Sequence, residues 1–310
     1  MLNAHNNQAG IPLMLRAPLL NSADPSMLTV ERHREFPMGL AAADEWNTLA
    51  RDIPFLSHEW QSAWWRYYQG NRELYLLRIT DESGRLLGMA PWYLDGDKER
   101  QLRFFGDGKV CSDYLSLLCR PEDADRVGSS VAEYLITSDE SRPEDAWDAI
   151  AWESILPTDS ALAALLRVLR NQEYPIQETP GVPSFALELP ETFEQYIQSR
   201  SKTSRNFLRR LDRRLTQGEL RIEYIREPDE LDDEAWGLFV DLHQLRRTMV
   251  GEQGCFEFPP FGEFLREATM RLMARHGCEL LFAYDGATPM SVLYQLLTPD
   301  TAYMYQSGMD

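Results

Sequence analysis

His243 is the side chain best suited to moving a proton, and it stands in the run FVDLHQLRR at residues 239–247. Histidine changes charge near neutral pH and serves as a general base. Phe239, Leu242 and Leu245 recur at helical spacing with His243 beside them. The sequence therefore allows a base at a cleft or a histidine hydrogen-bonded at the edge of a core. Arg246 and Arg247 follow, and either could orient an anionic substrate. Near the end of the chain, Tyr303, Tyr305 and Gln306 stand on an aromatic strand, where alternation puts the two tyrosines on one face. A tyrosine there could protonate a leaving group. Asp310 follows, and its carboxylate could deprotonate an amine directly or through water.

A second concentration of chemistry is electrostatic. Arg200, Lys202, Arg205, Arg209, Arg210, Arg213 and Arg214 face a single acid, Asp212, across one predicted helix with an apolar stripe of Leu208, Leu211 and Leu215. Such a helix either grips an anionic group, with Arg209 and Arg210 leading, or docks on acidic neighbours. The chain as a whole carries a net charge of −18. That balance disfavours duplex DNA except through a local basic patch. Gly106, Asp107, Gly108 and Lys109 form the one glycine-rich candidate after a strand. They lack the spacing of a P-loop or a dinucleotide fingerprint, and a tight turn is expected. Cys111, Cys119, Cys255 and Cys278 form no C-x-x-C pair and the histidines no H-x-x-x-H, so no metal site is expected. Scattered cysteines suit a reducing, cytoplasmic setting. No run of about 18 apolar residues predicts a transmembrane segment.

The elements that must position these groups follow from periodicity. Residues 1–28 read as a loose leader, 29–190 as a first α/β unit and 191–310 as a second, with the boundary near Pro190. In the first unit, helices are expected at 42–50 and 57–69, the second capped by Ser57. A hairpin follows at 74–94, then strands at 102–105, 113–119 and 146–152 and helices near 123–137 and 160–171, the last capped by Thr158 or Asp159. The alternation at 185–189 predicts a final strand. In the second unit, helices are expected at 192–216, 230–249 and 260–276, then strands at 279–284, 290–297 and 301–306. LYLLRITDESGRLLGMAPWYL and LLFAYDGATPMSVLYQLL are both strand, acidic-glycine turn, strand, each after two helices and before an aromatic strand. This shared order reads as an internal repeat.

The runs PFLSHEWQSAWW (54–65), GRLLGMAPWYL (84–94), FFGDGKVCSDYLSLL (104–118), SRSKTSRNFLRRLDRRL (199–215), FVDLHQLRR and YMYQSGMD (303–310) resemble the bacterial cellulose- and exopolysaccharide-biosynthesis acetyltransferase family. That family lies within the GNAT superfamily and is related to the Fem-type aminoacyltransferases. The resemblance spans nearly all of residues 44–310. It implies two tandem GNAT-like domains built on mixed, mainly antiparallel sheets flanked by helices. It also implies N- or O-acyl transfer from acetyl-CoA or another acyl-CoA to a small-molecule or glycan-precursor substrate. Matching the family's motifs, His243 and Arg246 gain a site role, and Asp113 and Tyr114 are expected to shape a substrate pocket. The family continues past its aromatic strand into a cofactor turn and helix. The chain ends at Asp310, so the second unit is expected to be incomplete. The alternatives are a non-catalytic partner of a polysaccharide-synthesis complex and a Fem-like aminoacyltransferase.

Overall fold

The computed structural model describes residues 28–96, 99–141, 144–181 and 183–309. Most of the expected leader and the candidate base Asp310 lie outside the described residues.

The first half opens with β1 (Thr29–His33), α1 (Leu40–Asn47) and α2 (His58–Tyr68), followed by β2 (Glu73–Thr80), β3 (Leu86–Asp95) and β4 (Gln101–Phe104). Then come β5 (Leu118–Cys119), α3 (Ala124–Ser141), β6 (Ala149–Ile150) and α4 (Ser160–Asn171). The second half holds α5 (Phe193–Gln198), α6 (Lys202–Thr216), β7 (Leu220–Ile225), α7 (Asp233–Met249), α8 (Phe261–Met273), β8 (Cys278–Asp285), β9 (Thr288–Leu297) and β10 (Ala302–Met309).

The internal repeat extends further than periodicity suggests. β1-α1-α2-β2-β3-β4 and β7-α7-α8-β8-β9-β10 share one element order, and their strands lie side by side in the orders β1-β2-β3-β4 and β7-β8-β9-β10. All pairs in these two meanders are antiparallel; β6 adds to β4 in parallel. The opening strands β1 and β7 are absent from the sequence expectation. Both are short and lie at sheet edges, and LRIEYI in β7 places polar residues between its apolar ones.

Local chemistry explains the helices that carry the site. Ser57 caps α2, its hydroxyl accepting the Trp60 amide, and Trp60, Ala63 and Trp64 turn to the core. Asp159, rather than Thr158, caps α4, and its second carboxylate oxygen accepts from Ser116 and Arg51. The helix expected at 192–216 is two helices, because Ser201 turns its hydroxyl onto the Ser204 amide and restarts the backbone as α6.

Two expected strands fail for lack of pairing partners. The alternation at 185–189 forms no strand, and Phe185, Leu187 and Leu189 stand exposed. Hydrophobic alternation specifies a face, but a strand also needs a neighbour for its amides. The strand expected at 113–119 pairs only at Leu118 and Cys119, against Met89 and Gly88.

One contiguous core crosses both halves, from Trp46 and Trp60 through Phe264 to Tyr294. α2 and α8 form the joint. Trp60 meets Phe264 edge-on with ring centroids 5.0 Å apart. Arg271 donates to the Ser62 hydroxyl at 2.7 Å, and Arg275 reaches Glu59 at 2.6 Å and Asp44 at 2.8 Å. The Lys109 ammonium sits 3.7 Å from the Phe258 ring centroid, a further cross-half contact.

Candidate functional site

Strand β10 lies in a seam, gripped on one side by α7 and touched on the other by the loop of residues 108–116. Its pairing to β9 shifts between Met304 and Gln306, so Tyr305 is an extra, bulged residue. Simple alternation would put Gln306 on the face opposite Tyr303 and Tyr305. The bulge resets the alternation, and all three side chains make contacts in the seam. Tyr303 meets Phe55 and Tyr114, with centroids 6.1 and 5.7 Å apart. Tyr305 meets Trp60 edge-on at 5.1 Å and donates its hydroxyl to the Val110 carbonyl at 2.6 Å. Burial holds the Tyr305 phenol well above its ordinary pKa. It stays protonated and serves as a strut between the halves.

Three residues of α7 clasp β10. His243, fully buried, lies 3.0 Å from Gln306 through Nε2 and 3.2 Å from Gln244 through Nδ1. Cys255 Sγ approaches the same Nε2 at 3.6 Å. Arg246 donates to the Ser307 hydroxyl at 2.6 Å. At Gly308 the two backbones almost touch: a Cβ there would lie 2.4 Å from the His243 nitrogen and from the Leu242 carbonyl carbon.

The electrostatics of His243 follow from this enclosure. Burial pushes its pKa below the ordinary 6.5, only partly offset by the hydrogen bonds to Gln244 and Gln306, and the nearby Arg247 and Arg246 push the same way as burial. The ring is therefore neutral at pH 7, with one nitrogen donating and the other accepting. One of the two glutamine amides must then present its NH2 group. His58, on α2, is buried too; burial lowers its pKa, and Nε2 donates to the Pro37 carbonyl at 2.7 Å.

Two depressed histidines make a pH prediction. The unfolded chain takes up protons near pH 6.5, whereas the folded one resists until lower pH. The stabilisation is complete above about pH 6.5 and is lost as pH falls through the folded values. The urea midpoint is expected to drop between about pH 7 and pH 5, and His243→Gln to flatten that slope. A midpoint that stays level across this range would rule it out.

Asp113 is the candidate acid–base group with an open carboxylate. It sits between Cys111 and Tyr114, both non-glycine residues at positive φ (52° and 60°). Backbone of this kind costs energy and concentrates at functional sites. Asp113 has no hydrogen-bond partner among the described residues, and partial burial raises its pKa above the ordinary 3.8. Its loop touches β10 twice, at Tyr303 through Tyr114 and at Tyr305 through Val110. Periodicity offers no signal for this approach, because residues 114 and 303 meet only through the fold.

The seam thus collects Tyr114, His243, Arg246, Tyr303, Tyr305 and Gln306, with the exposed Asp113 next to Tyr114 on the loop. Arg209 and Arg210 are elsewhere, on α6. This helix leads into β7, at the opposite edge of the sheet from β10. Arg209 pairs with Glu194 at 2.8 Å, and Arg210 covers the Phe207 ring. The sequence expectation overlooks the Gln244 and Cys255 contacts to His243. Their nearest sequence signal is Gly254: a Cβ there would lie 1.7 Å from the Gln244 amide oxygen.

The glycine-rich turn after β4 does not cradle phosphate. The Asp107 carboxylate is buried against the Tyr93 hydroxyl (2.7 Å) and the Arg103 guanidinium (2.5 Å), and Glu153 already accepts the Gly108 amide. Among the described residues β10 ends its sheet, with one backbone edge unpaired beside the bulge.

Comparisons with known proteins place the chain as follows. No curated protein matches the chain. The crystal structure of FemX superposes with a TM-score of 0.56 at 8% identity, covering 85% of this chain and 79% of that one. A conserved protein of unknown function from Bacteroides thetaiotaomicron VPI-5482 aligns with a TM-score of 0.45 at 12% identity, over 91% of this chain and 81% of that one. A tandem GNAT protein from the clavulanic acid biosynthesis pathway aligns with a TM-score of 0.34 at 14% identity, over 89% and 76%. No helix among the described residues is long and apolar enough to cross a membrane. Residues 200–310 match the family model for the acetyltransferase (GNAT) domain, and the chain has a mixed α/β fold with sheets flanked by helices.

Proposed function

We propose that this chain is an acyltransferase that moves an acyl group from an acyl-CoA thioester to an amine held in the seam beside β10. The observation that carries the reading is the pairing of a bulged β10, clasped by His243 and Arg246, with an unpartnered carboxylate, Asp113, on the facing loop. The bound thioester would supply an activated carbonyl. Asp113 would hold the acceptor's ammonium and take its proton, so that the neutral amine attacks the carbonyl; the C–S bond then breaks and the CoA thiolate leaves, taking a proton from solvent. Neutral His243 would hold Gln306 and thereby the bulge, so that backbone amides beside Tyr305 keep their aim at the carbonyl oxygen. Tyr114 and Tyr303 would wall the acceptor and exclude water. The polysaccharide or envelope setting implied by the sequence resemblance supplies an acceptor class to try first, an amino sugar.

The test pairs binding with turnover. A ligand that binds only the folded state at about a hundred times its Kd adds roughly 2.7 kcal/mol of stability. Acetyl-CoA is therefore expected to raise the melting temperature, and mass spectrometry to detect acetylated product with hexosamines or alkylamines. An unchanged melting temperature in excess acetyl-CoA, with no product from any amine, would end this reading. A non-catalytic partner role would then stand.

A further inference from the structure

α6 is an unusual helix for this protein. None of its 15 residues is buried, although its apolar stripe is well formed. Leu208 and Leu211 are half-covered, while Phe207 is 51% exposed and Leu215 38%. Its main neighbours are α5 and β7, which flank it in sequence. Just upstream, Phe185 and Phe193 are exposed as well, at 93% and 52%. Apolar surface of this kind on one short stretch marks an interaction site.

The charge on the same stretch is opposite to that of the rest of the protein. Residues 200–214 hold six arginines and one lysine against Asp212, in a chain of net charge −18. Two of these cations are engaged: Arg209 by Glu194, and Arg214 by Glu219 and Asp285. Lys202, Arg210 and Arg213 have no carboxylate partner among the described residues. Ion pairing within the described residues accounts for none of these three cations, and packing leaves Phe207 and Leu215 open.

We infer that α6, about 22 Å long, is a docking surface for an anionic lipid bilayer. A basic amphipathic helix lies in the headgroup plane, with apolar residues at the acyl boundary and Lys and Arg on lipid phosphates. Phe207 and Leu215 are the contacts with the acyl boundary, and Lys202, Arg210 and Arg213 meet the phosphates. Charge complementarity selects this occupant over others. A nucleic acid would satisfy the cations but leave the apolar stripe in water. A second copy of the chain would bring another body of net charge −18 against the first. The acidic body faces away from the bilayer, and attraction is confined to the helix within a Debye length of about 8 Å at physiological salt.

Sedimentation of the full chain with vesicles tests this. Vesicles of phosphatidylcholine with phosphatidylglycerol are expected to bind it, and phosphatidylcholine alone to leave it in solution. The double variant Arg210→Gln, Arg213→Gln removes two exposed cations that hold no carboxylate partner among the described residues, and binding should weaken about thirtyfold. Phe207→Ser should weaken binding further in high salt, where charge is screened. Equal binding to both vesicle types, no binding to either, or an unaffected double variant overturns the proposal. So does retention of RNA with indifference to vesicles, or a concentration-dependent dimer that the double variant abolishes.

Discussion

Gly308→Ala is expected to cost about 3 kcal/mol or more and to pry α7 from β10. The glycine is required by proximity, since its φ is not among the positive ones. A Cβ would lie 2.4 Å from the His243 nitrogen and the Leu242 carbonyl carbon, and 2.7 Å from the Leu242 oxygen. All three atoms are helix backbone, which yields only by moving α7. Gly254 is the instructive contrast. Its added Cβ meets the end of the flexible Gln244 side chain, which can swing away without moving a helix, giving up only its hydrogen bond to His243. Urea unfolding reads the difference, and loss of the His243–Gln306 hydrogen bond by NMR locates it. A Gly308→Ala protein within about half a kcal/mol of wild type would show that the helix and strand are not in contact as described.

Asp113→Asn is expected to lower kcat for amine acylation by roughly a hundredfold or more while leaving the KM for the thioester donor unchanged. The amide keeps the shape of the side chain but cannot accept the proton. The pH profile supplies the sign. A base works when deprotonated, so activity rises with pH through its pKa. Partial burial raises the pKa of Asp113, so that limb should lie above the ordinary carboxylate value of 3.8. In the variant the limb should vanish. Rates that fall less than about threefold, or a limb that persists, would remove Asp113 from the proton path and leave it a surface carboxylate. His243→Gln separates positioning from chemistry. It should lower the rate through a loosened β10 while keeping the Asp113 limb in place.

The same distinction between local and distant causes governs how much of this protein is legible from its residues. The caps at Ser57 and Asp159, both hairpins and the helical spacing around His243 are written locally, because each depends on residues a few positions apart. The strand expected at 185–189 has the right alternation but no partner, and partners are chosen by the whole sheet. The break between α5 and α6 is also local in origin, since Ser201 is a good cap. It is masked by a basic run that reads as one long helix.

The sequence by itself determined the mixed α/β class, the repeated order of two helices, a hairpin and a strand, and the groups able to do chemistry. Periodicity and capping are short-range, and a linear reading captures them. Only the tertiary structure decided which of those groups meet. It brought Tyr114 to Tyr303, hung Gln306 on His243 by inserting one bulged residue, and turned Tyr305 into a strut to Val110. It also left Arg209 and Arg210 at the far edge of the sheet. The reason is geometric: a one-residue shift of strand register reverses every later side chain, and strand order sets which edge faces the partner half.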